Sequence, residues 1–257
     1  GAVWPPVLNH FFEIAGWRAT FVGVGLFALV AALPLAFLMR RRAPLPVLTG
    51  SIHETRALQA SPLGFSPNAL TVVLAVAGVA CCVAMAMPQV HIVAYCSDLG
   101  YGAARGSAML AVMLGAGVIS RLIFGFVSDR IGGIRTLLTG SVLQGIALLL
   151  FLPYDGPTSL YIVSALFGLF QGGLVPAYAI IIREYFAPAE AGLRVGIVIM
   201  ATLFGMALGG WLSGAIFDLT GSYHAAFVNS IAFNVVNLSI ALLLLRRAQR
   251  GAALLPA

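Results

Sequence analysis

Residues 121–135 read Arg121-Leu122-Ile123-Phe124-Gly125-Phe126-Val127-Ser128-Asp129-Arg130-Ile131-Gly132-Gly133-Ile134-Arg135. Up to Ser128 the stretch is apolar apart from Arg121; beyond it, charges and a glycine pair crowd together. An apolar helix that ends in a charged, glycine-bearing turn reads as a membrane span meeting water. Outward from this turn the pattern repeats. Uncharged runs lie at 19–39, within 57–97, and at 136–154, 156–182, 195–217 and 219–245, while the run 106–128 is broken only by Arg121. A helix needs about 20 largely apolar residues to cross a bilayer, so the sequence predicts seven transmembrane helices and an all-α membrane protein. Composition agrees: 61% of residues are hydrophobic and only 9% charged, where soluble domains carry roughly a quarter charged residues.

The cations give the orientation. All 14 are arginine. Arg40, Arg41, Arg42 and Arg56 follow the first span, Arg130 and Arg135 the third, Arg183 and Arg194 the fifth, and Arg246, Arg247 and Arg250 the seventh. The opposite loops carry only Arg18 and Arg105. Cytoplasmic loops collect Lys and Arg, so odd-numbered spans run outside to inside and the C-terminus is expected in the cytoplasm of a multi-pass cell-membrane protein. This bias accounts for the net charge of +6 without a nucleic-acid partner, which would need a basic face on a soluble domain. Cys81, Cys82 and Cys96 show neither a disulfide framework nor metal spacing. No Ser–His–Asp grouping or phosphate-cradling loop appears, so an enzyme, a metal and a cofactor are not expected.

An internal repeat sets the architecture. Trp17-Arg18-Ala19-Thr20-Phe21-Val22 opens the first span and Tyr223-His224-Ala225-Ala226-Phe227-Val228 the last, each entered through a glycine, Gly16 or Gly221. Phe21 and Phe227 lie 206 positions apart, and the same offset carries Arg40-Arg41 onto Arg246-Arg247. Two helices of the same direction, six spans apart, imply a parallel six-helix repeat. Such a repeat resembles the two halves of the major facilitator superfamily. The resemblance implies that the first span is helix six and the others helices seven to twelve of a twelve-helix fold, with 1–39 holding the tail of helix five and helix six. It places the connector between halves at 40–68, the C-terminal half at 69–247 and a cytoplasmic tail at 248–257. Equal halves imply about 135–140 further residues before this segment. The connector holds Pro44, Pro46, Pro62 and Pro67, and its Ser51-Ile52-His53-Glu54 could cap a short interfacial helix.

Within the opening stretch, Gly125-x-x-x-Asp129-Arg130-x-Gly132 resembles the signature loop of that superfamily and falls at the expected turn between helices eight and nine. A basic pair usually follows the second glycine; here Gly133 and Ile134 precede Arg135. The resemblance implies a conformational latch formed by Gly125, Asp129, Arg130, Gly132 and Arg135. Gly125 would admit a close neighbouring helix, and Asp129 would accept charge-assisted bonds from an arginine or a helix N-terminus. Glu184 and Arg183 are candidate partners. A solvated turn whose charges only set topology is the alternative.

Arg121 lies about 10 Å into the bilayer at 1.5 Å per residue. Charge at that depth is costly and normally faces the bundle interior or a water-filled cavity, and the same helical face carries Leu114, Gly117, Gly125 and Ser128. A guanidinium matches a carboxylate in bidentate geometry. Gly117-x-x-x-Arg121-x-x-x-Gly125 resembles the substrate-binding stretch of the monocarboxylate transporters, as residues 209–223 resemble their bacterial relatives; this implies that Arg121 binds a carboxylate. An aspartate occupies the position of Gly117 in animal members, so proton coupling through it does not carry over. The neighbouring oxalate–formate exchangers use a second cation in helix eleven, and 195–217 has none, which favours a monocarboxylate over a dicarboxylate. Snorkelling of Arg121, or its pairing with Asp129, stays open. In helix seven, Pro88 is expected to kink the helix, and His91, Gln89 and Tyr95 are secondary substrate-binding candidates, His91 also as a proton carrier. Gln144, Gln171, Asn234 and Asn237 are expected to bond helix to helix.

The expected function is therefore secondary transport of a small organic anion by alternating access. Its partners are the lipid bilayer, protons as a candidate, and an N-terminal half outside this sequence. An exporter of drugs or other metabolites, or a membrane sensor, is the alternative.

Overall fold

The computed structural model describes residues 3–38 and 63–253. Most of the expected connector, with Arg40, Arg41, Arg42, Arg56 and the 51–54 cap, lies outside the described residues. In hydrocarbon every backbone N–H and C=O must be satisfied internally, which leaves the helix as the economical solution for such apolar segments. The described residues form α1 (Trp4–Leu38), α2 (Pro67–Asp98), α3 (Ala103–Ile131), α4 (Gly133–Leu150), α5 (Pro157–Gln171), α6 (Leu174–Tyr185), α7 (Pro188–Thr220) and α8 (Tyr223–Ala253). Counting α5 and α6 as one, seven stretches are long and apolar enough to cross a membrane. The expected all-α membrane fold is present. The twelve-helix order that the resemblance implies would make α2 helix seven, α3 eight, α4 nine, α5 with α6 ten, α7 eleven and α8 twelve.

α1 is two helices. Gly16 has φ 76° and ψ 161°, a conformation that side chains with a Cβ resist. The Trp4 and Phe27 rings lie 5.9 Å apart and those of Phe12 and Phe21 5.7 Å. A straight helix would separate Trp4 from Phe27 by about 35 Å, so the chain reverses at Gly16 into a hairpin. This hairpin packs on α3 and leaves most of its side chains exposed.

The core is built around α2. Ser66 caps it by accepting from the Ala69 N–H at 3.3 Å, and Pro67 takes the first turn, where its missing N–H costs nothing. The helix continues through Pro88 to Asp98 without a break. α7 lies closest, through its glycines. A Cβ on Gly205 would stand 2.6 Å from the Val79 carbonyl oxygen, and one on Gly209 2.7 Å from that of Val83. Small residues replace the hydrophobic drive that is missing between helices in lipid. Behind α2, polar side chains tie α4, α6 and α8 together. Asn234 Nδ2 donates to Gln144 Oε1 at 3.0 Å, Asn237 Nδ2 to Ser141 Oγ at 2.8 Å, and the Tyr178 hydroxyl to Asn237 Oδ1 at 2.8 Å. Gln144, Asn234 and Asn237 thus bond helix to helix as the sequence suggested; Gln171 is treated below.

Because only hydrogen fits between α7 and the α2 backbone, Gly209→Val should cost on the order of 1–3 kcal/mol. Thermal unfolding in detergent checks this, with Gly23→Ala, where nothing lies within 4 Å, expected to melt like the parent.

Candidate functional site

One face of α3 is sealed against helix ten. A Cβ on Gly168 would meet the Met113 carbonyl at 2.1 Å, one on Gly172 the Gly117 carbonyl at 2.6 Å, and one on Gly173 the Phe124 ring at 2.2 Å. Met113, Gly117, Ser120 and Phe124 therefore form the contact face. The glycine pair Gly172-Gly173 also separates α5 from α6. Arg121 is turned about 100° from Ser120, which carries it out of the contact. It is exposed, and among the described residues it has no hydrogen bond or ion pair. Asp129 is two helical turns away, about 12 Å along the axis, too far for the pairing left open above.

Interhelix register decides which candidates share a site. A Cβ on Gly106 would lie 2.7 Å from Val93 Cα, which aligns the antiparallel pair α2 and α3. Arg121 is fifteen residues along α3 from that contact and His91 two residues along α2, so the two stand about 20 Å apart along the bundle axis. No small acid spans that distance. His91, Gln89 and Tyr95 belong instead to the C-terminal end of α2, near the level where Gly106 meets Val93. His91 Nε2 donates to the Gly210 carbonyl at 2.9 Å, and its ring lies beside Gly214. Gln89 is half-buried, without a hydrogen bond among the described residues. Tyr95 is buried in an aromatic cluster, its ring 4.8 Å from Tyr223 and 5.9 Å from Phe227.

At the level of Arg121 the structure offers other groups. Ser120 Oγ and Gln171 Oε1 are both buried and both without a hydrogen-bond partner among the described residues. Gln171 was expected to bond helix to helix, and its carbonyl oxygen does not. It ends α5 at the glycine pair, and that pair is the signal in the sequence that could have marked the place.

The charged loop is held by a carboxylate. Gly132 has φ 80° and ends α3, letting Gly133 start α4 at once. Glu184 Oε1, from α6, accepts the Gly133 N–H at 2.9 Å, placing negative charge where four backbone donors lack helical partners. Arg135 and Glu184 line a cavity of about 210 Å³ with Ile131, Gly132, Tyr185 and Gln249. Asp129, Arg130 and Arg183 are exposed, without an ion pair among the described residues. Among the described residues nothing lies within 4 Å of a Cβ built on Gly125, so none of them makes the close approach expected there. Two other arginines are engaged. Arg194 bonds Glu190 at 2.7 Å, the Thr71 hydroxyl at 2.6 Å and the Pro67 carbonyl at 3.1 Å. Arg247 stacks 3.8 Å from the Phe65 ring centroid and donates to the Gly64 carbonyl at 3.2 Å.

A family model described as Major Facilitator Superfamily matches residues 72–256. The chain belongs to the major facilitator superfamily. Monocarboxylate transporter 13 of Rattus norvegicus is 32% identical over 57% of this chain and 35% of its own length, and that of Bos taurus is 31% identical over the same shares. The MFS-type transporter opdF of Penicillium oxalicum is 25% identical over 62% of this chain and 38% of its own. The chain therefore spans little more than a third of the curated relatives it matches. This membership puts the chain among carriers rather than enzymes.

Removing the charge at the α4 N-terminus by Glu184→Gln should destabilise the protein by about 0.3–1 kcal/mol. Melting at low and high salt checks it, and the difference should shrink as salt rises.

Proposed function

We propose that this chain supplies helices six to twelve of a secondary transporter for a small organic monocarboxylate, completed by an opposing six-helix half and worked by alternating access. The observation that carries the reading is Arg121, an exposed guanidinium within a membrane helix that no other side chain among the described residues neutralises. Such a group is expensive in hydrocarbon and is retained where it meets an anion or a water-filled path. A carboxylate matches its planar fork, and one carboxylate balances one guanidinium. The relatives named as monocarboxylate transporters favour the same substrate class.

In this reading Arg121 binds the carboxylate at the level of the helix-ten break. His91 and Gln89, about 20 Å outward, would meet the substrate on its way to or from Arg121, while Tyr95 packs the outer end. Protons remain a candidate partner, and His91 is their candidate carrier. Asp129, Arg130, Gly132 and Arg135 would work as the latch on the cytoplasmic side, with Glu184 as the anchor of α4.

The test is uptake of labelled lactate, pyruvate and formate into vesicles bearing the complete transporter. Arg121→Ala should reduce saturable uptake of the preferred acid about tenfold to a hundredfold, the range expected for a lost charge-assisted bond, at equal surface expression. Uptake that survives the substitution would leave Arg121 a structural role. Absence of movement of any of the three acids in the parent protein would remove the monocarboxylate reading and leave the family membership untouched.

A further inference from the structure

α7 and α8 leave their shared turn at Gly221 and both follow α2 back to its first residues. α7 does so through Gly209, Gly205 and then Arg194, which bonds Thr71. α8 does so through Tyr223, beside Tyr95, and finally Arg247, which bonds the Gly64 carbonyl. Between them, toward the start of α2, a strip of that helix stays uncovered. Val72, Val76 and Val79 form the floor of a groove there, with Ile197 of α7 on one side and Phe233 and Val236 of α8 on the other. The groove holds about 320 Å³. A single helical turn, about 10 Å across and 5.4 Å high, fills about 420 Å³. No further helix fits within the groove, whereas an extended hydrocarbon chain does.

The groove has a polar mouth. A second cavity, of about 500 Å³, shares Thr71, Val72 and Ile197 with it and adds Asn68, Glu190 and Arg194. The spacing 68, 72, 76, 79 keeps Asn68 and the valine floor on one face of α2, so mouth and groove are continuous. Arg194 is largely buried and engaged with Glu190 Oε2, the Thr71 hydroxyl and the Pro67 carbonyl. Glu190 keeps more than half of its side-chain surface exposed, and its Oε1 accepts no bond among the described residues. The mouth therefore presents an open carboxylate oxygen beside a guanidinium. Depth agrees with this division. α2 is about 48 Å long in a hydrocarbon core of about 30 Å, so about 9 Å of it projects at each end when it is centred. Asn68 and Glu190 then stand among headgroups, and Val76 and Val79 among acyl chains.

We propose that this groove holds one phosphatidylethanolamine molecule, an acyl chain along Val72, Val76 and Val79 and the ammonium group on Glu190. The headgroup carries both signs, as the mouth does: its ammonium meets the carboxylate and its phosphate lies on the Arg194 side. An ammonium brings three N–H donors, whereas the trimethylated head of phosphatidylcholine has the same charge and none. An anionic headgroup without an amine would set its charge against Glu190. Burial of methylenes supplies the affinity, and the carboxylate supplies the choice among lipids. Nothing in the site depends on Arg121 or on a transported acid.

The experiment is native mass spectrometry of the complete transporter in detergent, titrated with phosphatidylethanolamine or with phosphatidylcholine of the same acyl chains. The parent should retain phosphatidylethanolamine in preference. E190Q should lower that preference about two- to fivefold, the range of an exposed ion pair, and leave phosphatidylcholine retention as it was. V76W fills the groove and should lower retention of both lipids alike. D218N, at the other end of α7, should change neither. Thermal melting checks the fold, and because Val76 is half-exposed, V76W tests the groove even if E190Q loosens the start of α7. Equal retention of the two lipids by the parent would overturn the proposal, as would parental preference in E190Q. Full retention of both lipids in V76W would also overturn it, and is the result expected if the opposing half covers the groove.

Discussion

The close approach of α7 to α2 is the contact on which the rest of the helix packing depends. Helices in lipid gain nothing from hiding apolar surface from each other, because the lipid is equally apolar. Gly205 and Gly209 substitute contact at the backbone itself, against Val79 and Val83. With α7 fixed, α2 becomes the element that the other helices enclose, and seventeen of its residues are buried. The polar bonds through Gln144, Ser141, Asn234 and Asn237 then set the register of α4 against α8. An amide left unpaired in hydrocarbon has no water to turn to, so a one-residue slip would strand several at once.

The arginines show how a single residue type serves several ends in one membrane protein. Counted along the sequence they report orientation and little else. In space, Arg194 joins the starts of α7 and α2, and Arg247 grips the lead-in to α2 through Phe65 and Gly64. Those two have exchanged hydration for neutral acceptors and aromatic faces within the fold. Arg121 has made no such exchange among the described residues, and unlike the other unbonded arginines it lies in the interior of an apolar helix, well away from either end.

The seven spans and the turn at Gly132 were legible because each rests on local chemistry: apolar run length, and a glycine pair among charges where φ turns positive. Arg121 was legible for the same reason, as an isolated charge in an apolar run. Grouping it with His91, Gln89 and Tyr95 required knowledge of how α2 slides against α3, and sequence spacing carries no such information. The contact of Gly106 with Val93 supplies it and separates the two sets. Glu184 was identifiable as the partner of the charged loop. Its bond goes to the Gly133 backbone and not to an arginine, because the tight turn brings the free N–H groups of α4 to that point.

The separation of Arg121 from His91 bears on how such a half could work. Were all polar candidates at one level, a bound acid could satisfy them together and would have little reason to leave. Spread over about 20 Å, they leave Arg121 as the deep cation among the described residues, with neutral groups lying outward. In the proposed reading an anion would meet the half-buried Gln89 amide and the His91 ring edge first, and full charge only at the level of Arg121. Ser120 and Gln171 lie buried at that level, within the contact of α3 with α5 and the Gly172-Gly173 pair. In the proposed reading the charge pairing at Arg121, and not hydrogen bonds from the sealed contact beside it, is what would tell a carboxylate from a neutral solute.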